Sequence, residues 1–256
     1  MLASMSTPIS AANRASAPPA TRRSRQRQAT VAEIKELARQ QLAEEGTGGV
    51  NLRAIAREMG TASSALYRYF ASADELIGAL CADAYDAVAD AVAAAADGVR
   101  EDDHAGRWLA ICDGYRAWSL EHPADFALIF GTPVPGHRAA AEATAPGAAR
   151  LLAVALEAYT AAVEAGAADP GRTKLPPDLK AGPLLEDLLG RSAHGRASRL
   201  AAIVLSAWAS VLGYLSAEIF GSLHQLTADP GRLYQAHIRT VMAGVGYDPA
   251  LIPGAS

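Results

Sequence analysis

The sequence predicts an all-α protein, and three observations lead to that prediction. Apolar residues recur at helical spacing along most of the chain after residue 30. Segments rich in glycine and proline separate these patterns, notably at residues 131–137 and 166–178. We find neither an internal repeat nor a convincing alternation of apolar and polar residues of the kind that predicts a strand. The helices are therefore expected to pack on one another without a sheet.

Composition favours a folded protein that stays in the cytoplasm. Half of the 256 residues are hydrophobic, which is enough for one large domain or two smaller ones. The longest apolar runs, such as residues 200–211, contain Ser206 and are bordered by charges, so none is expected to reach the roughly 20 residues of a membrane span. The N-terminus lacks the apolar core of a secretion signal, although its Arg and Ser content resembles an organellar transit peptide. Cys81 and Cys112 form no CxxC pair and are expected to be core residues in a reducing compartment.

Charge is distributed unevenly along the chain. Residues 1–70 contain ten Lys or Arg and five Glu, although the whole chain has a net charge of −4. The remainder is therefore acidic. This asymmetry favours a basic module that faces a polyanion, joined to an acidic body, but a basic leader can also be a solvated tail.

The N-terminal region is predicted to contain a leader followed by a long helix. Residues 1–28 are expected to be a disordered basic leader, because Ala, Ser, Pro and Arg dominate their composition. Thr30 is predicted to be the N-cap of the first helix, with Glu33 completing a capping box. The apolar stripe of this helix, which glycines at 46, 48 and 49 end, consists of Val31, Ile34, Leu37, Ala38 and Leu42.

Two short helices are predicted next. Asn51 is expected to cap the second helix, which ends at Gly60, and Ser63 is expected to cap the third. The apolar residues of this pair are Leu52, Ile55, Ala56, Met59, Leu66 and Phe70. A long helix, a short helix, a tight turn and another short helix are typical of a helix-turn-helix within a three-helix unit.

Helical patterns continue towards the C-terminus. Ser72 is predicted to begin a fourth helix that carries Asp74 and Glu75 in its first turn. A fifth is predicted to end at the His122-Pro123 break. Further helices are predicted over residues 126–130, 139–165, 184–189, 198–220 and 230–245. The segments "GTPVPGH" (131–137) and "GAADPGRTKLPPD" (166–178) are predicted to be loops.

The stretch "GTASSALYRYF" (60–70) contains candidate DNA contacts. Leu66 and Phe70 are sufficient for its core face. Small residues at the start of a helix allow it to enter a major groove, and hydroxyl and guanidinium groups can reach phosphates and base edges. The candidates that lie off the core face are Ser63, Ser64, Ala65, Tyr67, Arg68 and Tyr69.

These motifs resemble the tetracycline-repressor (TetR) family of bacterial transcription regulators. The resemblance is sharpest in "NLRAIAREMGTASSALYRYFASADELIGAL", and "YRAWSLEHPADFALIFGTPVPGH" with "AWASVLGYLSAEIFG" resembles one of its regulatory-domain subtypes. It implies a helix-turn-helix DNA-binding domain over residues 29–74 and a helical ligand-binding and dimerisation domain over residues 75–250. It also implies a repressor that a small molecule releases from its operator.

The resemblance assigns roles to individual residues. Asn51 is implied to cap the second helix near a phosphate, and Arg53 to reach a base or phosphate, although Arg53 can equally be a solvated side chain. The remaining implied DNA contacts are Thr61, Ser63, Ser64, Ala65, Tyr67, Arg68 and Tyr69. Ala73 departs from the family, whose members usually have a lysine there. We hypothesise that Arg22, Arg23, Arg25 and Arg27 compensate by following the phosphate backbone or minor groove.

The resemblance also implies the partners of the larger domain. The last two long helices are expected to pair in a homodimer, which would bind a roughly palindromic operator. A small apolar or aromatic effector is expected in a cavity between the helices after the DNA-binding region. The candidate ligand-binding residues are Trp118, Phe126, Phe130, Tyr159 and Trp208, with Trp108 and Tyr115 also considered. Ordinary core packing is the alternative for each of them.

Two other classes of function remain as alternatives. An enzyme is disfavoured because the chain lacks the common catalytic motifs, and its six histidines are scattered without metal-ligand spacing. No cofactor and no metal are expected. A helical scaffold protein without sequence-specific DNA binding is the second alternative. The basic charge before residue 71 and the polar face of "SSALYRY" weigh against it.

Overall fold

The computed structural model describes residues 21–45, 49–131, 141–173, 182–189 and 195–254. Within these residues the fold is all-α, as predicted, and the extended pairing is confined to an isolated bridge between Ala168 and Tyr247. The helices are α1 (Arg22–Glu45), α2 (Leu52–Glu58), α3 (Ser63–Leu66), α4 (Ala73–Asp97), α5 (His104–Glu121), α6 (Pro123–Phe130), α7 (Ala141–Glu164), α8 (Pro183–Leu189), α9 (Arg196–Ile219) and α10 (Pro230–Gly244).

The first helix starts earlier than predicted. It begins at Arg22, and the hydroxyl of Thr21 accepts a hydrogen bond from the Ser24 N–H at 3.2 Å. Thr30 therefore lies inside the helix, where its hydroxyl donates to the Gln26 carbonyl at 3.1 Å. The predicted capping box at Thr30 is wrong, because the Arg- and Gln-rich segment before it favours a helix. Residues 22–28 belong to α1, and residues 1–20 of the predicted leader lie outside the described residues.

The caps of α2 and α4 are confirmed. The Asn51 side chain accepts from the backbone N–H groups of Arg53 and Ala54, and Ser72 accepts from that of Glu75. Gly60 ends the α2 segment at φ +64°, in the left-handed region that glycine favours, and the next N–H bonds back to the Ala56 carbonyl at 2.9 Å. This turn sets the angle between α2 and α3.

The predicted cap of α3 is wrong by one residue. Ala62 is the N-cap, with an extended backbone and no side-chain cap, and Ser63 is the first helical residue. The Ala62 carbonyl already accepts from the Ala65 N–H at 2.8 Å, so the helical turn starts one residue earlier. Backbone hydrogen bonds continue the turn beyond Leu66 as far as Phe70.

The predicted downstream helices are confirmed to within a few residues of their ends. The loop predicted over residues 131–137 lies outside the described residues except for Gly131. The segment predicted as a loop over 166–178 is described to Thr173 and contains a 3₁₀ turn at Pro170–Arg172. Its N-terminal part is tied to the C-terminal region, because the Asp169 N–H donates to the Gly246 carbonyl at 2.8 Å.

The buried residues form two hydrophobic cores. The N-terminal core unites α1 to α4 around Ile34, Ile55, Leu66, Leu76 and Leu80. The regulatory core fills the space between α4, α5, α7, α9 and α10 and contains most of the buried aromatic residues. Because α4 contributes to both cores, it is shared by the two domains.

Helix α9 corrects one prediction from composition. It has 24 residues and is apolar enough, by length and composition, to cross a membrane, so the expectation that no segment reaches that length is wrong. The core helix of a soluble protein passes the same test, and α9 packs against α5, α7 and α10. Fewer than half of the residues in its apolar stretch are buried, and several of its large apolar side chains are only partly buried.

Candidate DNA-binding surface and regulatory cavities

The segment from α3 to Phe70 divides by face as predicted. Leu66 and Phe70 are buried in the N-terminal core. Tyr67 is 46% exposed, which is high for a large aromatic side chain. Ser64 and Arg68 are also exposed, whereas Ser63, Ala65 and Tyr69 are partly buried. The exposed residues form a polar surface that can approach a phosphate backbone.

Hydrogen bonds fix the start of α2 and join it to α1. The Asn51 side-chain oxygen accepts from Arg53 N at 3.0 Å and Ala54 N at 3.2 Å. The Asn51 N–H donates to Gln41 Oε1 of α1 at 2.9 Å. Since the cap occupies the oxygen, the exposed side-chain amide of Asn51 can still donate to a phosphate. Arg53 and Thr61 are exposed as well.

The early start of α1 places an arginine against α3, a contact that the sequence reasoning missed. The guanidinium carbon of Arg27 lies 5.1 Å from the ring centroid of Tyr69, a cation–π distance. The side chains of Arg22, Arg23, Arg25 and Arg27 are all exposed. Ala73 packs partly buried against the N-terminal core. The arginine-rich turns of α1 therefore lie near the C-terminal end of the α3 segment.

An ionic cluster joins α1 to the regulatory domain. Lys35 Nζ lies 2.8 Å from both carboxylate oxygens of Asp83 on α4. Arg39 contacts Asp83 at 3.3 Å and, through Nε, Asp125 of α6 at 3.6 Å. These side chains are partly buried, so solvent screens the charges less than at an open surface. The i, i+4 spacing of Lys35 and Arg39 was the available sequence signal, but their partners are distant in the chain.

Helix α6 contacts both cores. Its Leu128 and Ile129 pack against the N-terminal core, and Phe126 is fully buried in the regulatory core. Phe130 packs edge-on against Tyr115, with ring centroids 6.0 Å apart, and against Trp208 at 6.1 Å. One short helix thus touches the regulatory aromatic residues on one side and the DNA-binding domain on the other.

Two neighbouring apolar cavities lie within the regulatory domain. The smaller, of about 40 Å³, is enclosed by α4, α5, α7 and α9, and Trp108 and Tyr115 are in its wall. The larger, of about 250 Å³, is bordered by α4, α7, α8 and α9. Leu151, Leu152 and Trp208 line both cavities, so the two cavities are neighbours.

The predicted ligand-binding residues occupy different places in this arrangement. Trp208 lines both cavities, but Trp118, Phe126, Phe130 and Tyr159 line neither. Phe126 and Tyr159 are fully buried, and the Tyr159 hydroxyl donates to the Val245 carbonyl at 2.5 Å. Phe130 lines neither cavity, but its ring contacts those of the cavity residues Tyr115 and Trp208. The structure therefore moves the candidate site towards Trp108, Tyr115 and Trp208.

Burial has chemical consequences for the groups around these cavities. It raises the pKa of the Tyr115 hydroxyl well above its usual range, so the hydroxyl stays protonated at neutral pH. It also raises the pKa of the Cys112 thiol, which lines the smaller cavity, and brings that of Cys81 to about 11. Both cysteines are free and buried, as predicted, and their thiols are protonated at neutral pH.

The exposed polar face of α3, its supporting three-helix core and the separate helical body define a helix-turn-helix DNA-binding protein with a regulatory domain. Residues 34–80 match the family model described as "Bacterial regulatory proteins, tetR family". Residues 108–241 match "Tetracyclin repressor-like, C-terminal domain". The chain therefore belongs to the TetR family of transcription regulators, which confirms the resemblance seen in the sequence.

Individual relatives agree with this assignment. The HTH-type transcriptional regulators Rv1816 of Mycobacterium tuberculosis and Mb1846 of Mycobacterium bovis are each 37% identical over 220 residues, which is 83% of this chain and 90% of theirs. The solved regulatory protein SCO4313 is 34% identical, with a TM-score of 0.67, and the match covers 87% of this chain and 100% of that one. A tetR-family regulatory protein from Rhodococcus RHA1 shares the fold at 16% identity, with a TM-score of 0.58 and coverage of 85% and 97%.

Proposed function

We propose that this transcription regulator is a cytoplasmic, homodimeric repressor that a small molecule releases from a roughly palindromic operator. The observation that carries the proposal is the position of α6 between the cavity residues and α1. A molecule that displaces Tyr115 or Trp208 would move Phe130, and α6 would transmit that movement through Asp125 to Arg39. The ligand must bind the DNA-incompetent arrangement more tightly, because only differential affinity shifts the equilibrium.

The reading surface consists of the exposed and partly exposed residues around α2 and α3. Tyr67 and Arg68 contact the phosphate backbone and groove, and Ser63, Ser64 and Ala65 face base edges. Asn51, Arg53 and Thr61 contact the backbone from the adjacent helix and turn. The partly buried Tyr69 acts mainly by holding Arg27 at the edge of this surface.

A binding assay tests the proposed reading surface directly. Footprinting with DNA upstream of the gene and its neighbours should show a protected, roughly palindromic site with salt-sensitive binding. Arg68→Ala should weaken binding at least tenfold, whereas Arg172→Ala, an exposed arginine in the regulatory domain, should have no effect. Equal effects of the two substitutions would contradict the assigned surface.

The direction of regulation needs its own measurement. A reporter gene placed behind the footprinted site should be transcribed less when the protein is present, as expected for a repressor. Increased transcription would show an activator instead. Family membership already disfavours the alternative of a scaffold protein without sequence-specific DNA binding.

The exposed apolar surface of α9 and α10 supports the homodimer. Ser206, Ala209 and Gly213 are small exposed residues on one face of α9, and they allow a second helix to approach closely. Phe220 and Leu233 are large exposed apolar residues of the same region. A patch of this kind on α9 and α10 is typical of an interface.

A substitution at Gly213 distinguishes loss of the dimer from misfolding. A Cβ at Gly213 meets no atom within 4 Å, so the single chain can accept a larger side chain there. Gly213→Arg should give a helical monomer in light scattering and circular dichroism, and it should bind the operator weakly. Ala161→Arg, at an exposed position on α7, should remain dimeric. A Gly213→Arg protein that stays dimeric would place the interface elsewhere.

The arginine-rich start of α1 compensates for the missing lysine at Ala73. Arg27 is held against Tyr69, and Arg22, Arg23 and Arg25 are exposed on the same two helical turns. Replacing all four by Gln should reduce operator affinity and lower the slope of log K against log salt by about 0.9 for each lost phosphate contact. Deleting residues 1–20 provides a control that leaves α1 whole. An unchanged slope in the Gln variant would contradict the compensation.

A further inference from the structure

The lining of the two cavities indicates what charge a bound ligand can carry. The described lining residues include no Lys, Arg, His, Asp or Glu. A charged ligand would lose its hydration there without gaining a counter-ion, which is strongly unfavourable. The ligand must therefore be uncharged and mostly apolar.

Two residues that line the smaller cavity, Trp108 and Tyr115, carry buried polar groups whose hydrogens have no acceptor among the described residues. The Trp108 indole nitrogen and the Tyr115 oxygen are inaccessible to solvent and form no hydrogen bond of normal geometry with the described residues. The Trp208 indole N–H is directed at the Tyr115 oxygen and opposes the rise in the Tyr115 pKa that burial causes, but an indole N–H only donates and cannot accept the Tyr115 proton. The Tyr115 proton and the Trp108 N–H are thus two donors without acceptors.

Two other buried tyrosines of the same core have paired hydroxyls. The Tyr234 hydroxyl donates to the Cys112 carbonyl at 2.6 Å, and that of Tyr159 donates to the Val245 carbonyl. Buried polar groups are nearly always paired, so an unpaired donor requires an explanation. Tyr247 also has an unpaired hydroxyl, but it lines neither cavity and plays no part here.

We infer that the effector is an uncharged, mostly apolar molecule with a carbonyl oxygen, and that Trp108 and Tyr115 donate hydrogen bonds to it once its entry displaces Trp208 and widens the smaller cavity. This inference rests on the proposed ligand-controlled function. The apolar part of the molecule occupies the larger cavity, whose volume of about 250 Å³ suits a small organic molecule. Its carbonyl group extends past Trp208, which lines both cavities, into the smaller cavity. Because the Trp208 ring contacts that of Phe130, displacement of Trp208 moves Phe130.

Three probes of nearly equal size test the class of ligand by isothermal titration calorimetry, with cumene kept below its low solubility limit in water. Acetophenone has a carbonyl group, cumene replaces the carbonyl oxygen by a methyl group, and benzoate carries a carboxylate. Acetophenone should bind more tightly than cumene, although it is less apolar, and benzoate should not bind. Equal binding of acetophenone and cumene would overturn the inference, because the donors would then be satisfied by water. Preferential binding of benzoate, or no binding of acetophenone, would overturn it as well.

Substitutions locate the hydrogen bonds. Tyr115→Phe should weaken acetophenone binding about fivefold, the value of one neutral hydrogen bond, and leave cumene binding unchanged. Trp108→Phe also enlarges the cavity, so there the expected effect is an about fivefold loss of acetophenone affinity relative to that of cumene. Tyr214→Phe is the matched control, because the Tyr214 hydroxyl bonds to the Pro230 carbonyl and lines neither cavity. An acetophenone preference over cumene that is undiminished in Tyr115→Phe would overturn the assignment. If Trp108→Phe does not fold, the nearly isosteric Tyr115→Phe still decides the question.

Operator binding measured on the same samples separates this inference from the proposed function. Failure to bind any operator would refute the repressor and leave the ligand selectivity measurable. Release of the operator by cumene as readily as by acetophenone would refute the carbonyl preference and leave the ligand-controlled repressor standing.

Discussion

The two cores of the molecule differ in the kind of side chain that fills them. The N-terminal core is mainly aliphatic, and Phe70 is the aromatic residue among its fully buried members. The regulatory core contains buried aromatic residues that carry polar groups, some paired and some not. Its aromatic members are Trp108, Tyr115, Trp118, Phe126, Tyr159, Tyr234 and Tyr247. Close packing of aliphatic side chains favours a small rigid domain. Large rings with unpaired donors instead provide a cavity and hydrogen-bond donors for a ligand.

The largest expected effects test whether both cores are tightly packed. Phe126→Ala should lower the free energy of unfolding by about 4 kcal/mol and Leu66→Ala by about 3 kcal/mol, because both side chains are almost completely buried. Urea unfolding followed by circular dichroism measures both values. Leu226→Ala is the control, since that side chain is 80% exposed and should change stability by less than about 0.5 kcal/mol. A cost at Phe126 as small as that of the control would mean that the regulatory core is loosely packed.

Breaking the ion pair between α5 and α9 should give the next largest loss of stability. The described part of the N-terminal core contains no ion pair that is as deeply buried. Arg116 Nε lies 2.9 Å from Glu218 Oε2, and the Glu218 side chain is only 5% exposed. Arg116→Ala should cost about 3 kcal/mol, because it leaves a buried carboxylate without its partner. Arg100→Ala, which breaks an exposed pair with Asp102, should leave thermal stability unchanged. Similar losses in both variants would show that burial of Glu218 is not the cause.

A substitution of the α2 cap separates stability from DNA binding in the N-terminal domain. Asn51→Ala should lower the free energy of unfolding by about 1 kcal/mol, because Arg53 N and Ala54 N lose their acceptor. Asn51→Asp keeps an oxygen acceptor and should preserve stability, but its negative charge should weaken operator binding. Gel shifts alongside urea unfolding measure the two properties. Unchanged operator binding in Asn51→Asp would remove Asn51 from the DNA contacts.

Capping residues predicted the start of a helix correctly where the preceding segment is not itself helical. Asn51 and Ser72 cap α2 and α4 because their side-chain oxygens satisfy N–H groups at the first turn. Thr30 has the same signal, yet it lies inside α1, since the preceding segment forms helix and Thr21 provides an earlier cap. A capping motif indicates where a helix can begin but does not show whether the previous turn is already helical.

The two candidate sites were predictable to different degrees. The exposure of Asn51, Arg53, Tyr67 and Arg68 follows from helical periodicity, because the apolar stripe assigns the opposite face to solvent. The ligand-binding candidates share the inward face of their helices with ordinary core residues. Periodicity could therefore not separate Trp208, which borders the cavities, from Phe126, which is packed in the core.

The amino-acid sequence by itself determined the helical fold class, the order of the helices, the helix-turn-helix and the face of α3 that remains polar. Those properties depend on residues within about one helical turn of each other, so they can be recognised in one dimension. Only the tertiary structure decided that Arg27 lies over Tyr69, that α6 joins the two cores, and that Trp108 and Tyr115 border a cavity. These arrangements join residues from separate helices, and each depends on how whole helices pack, which no local pattern specifies.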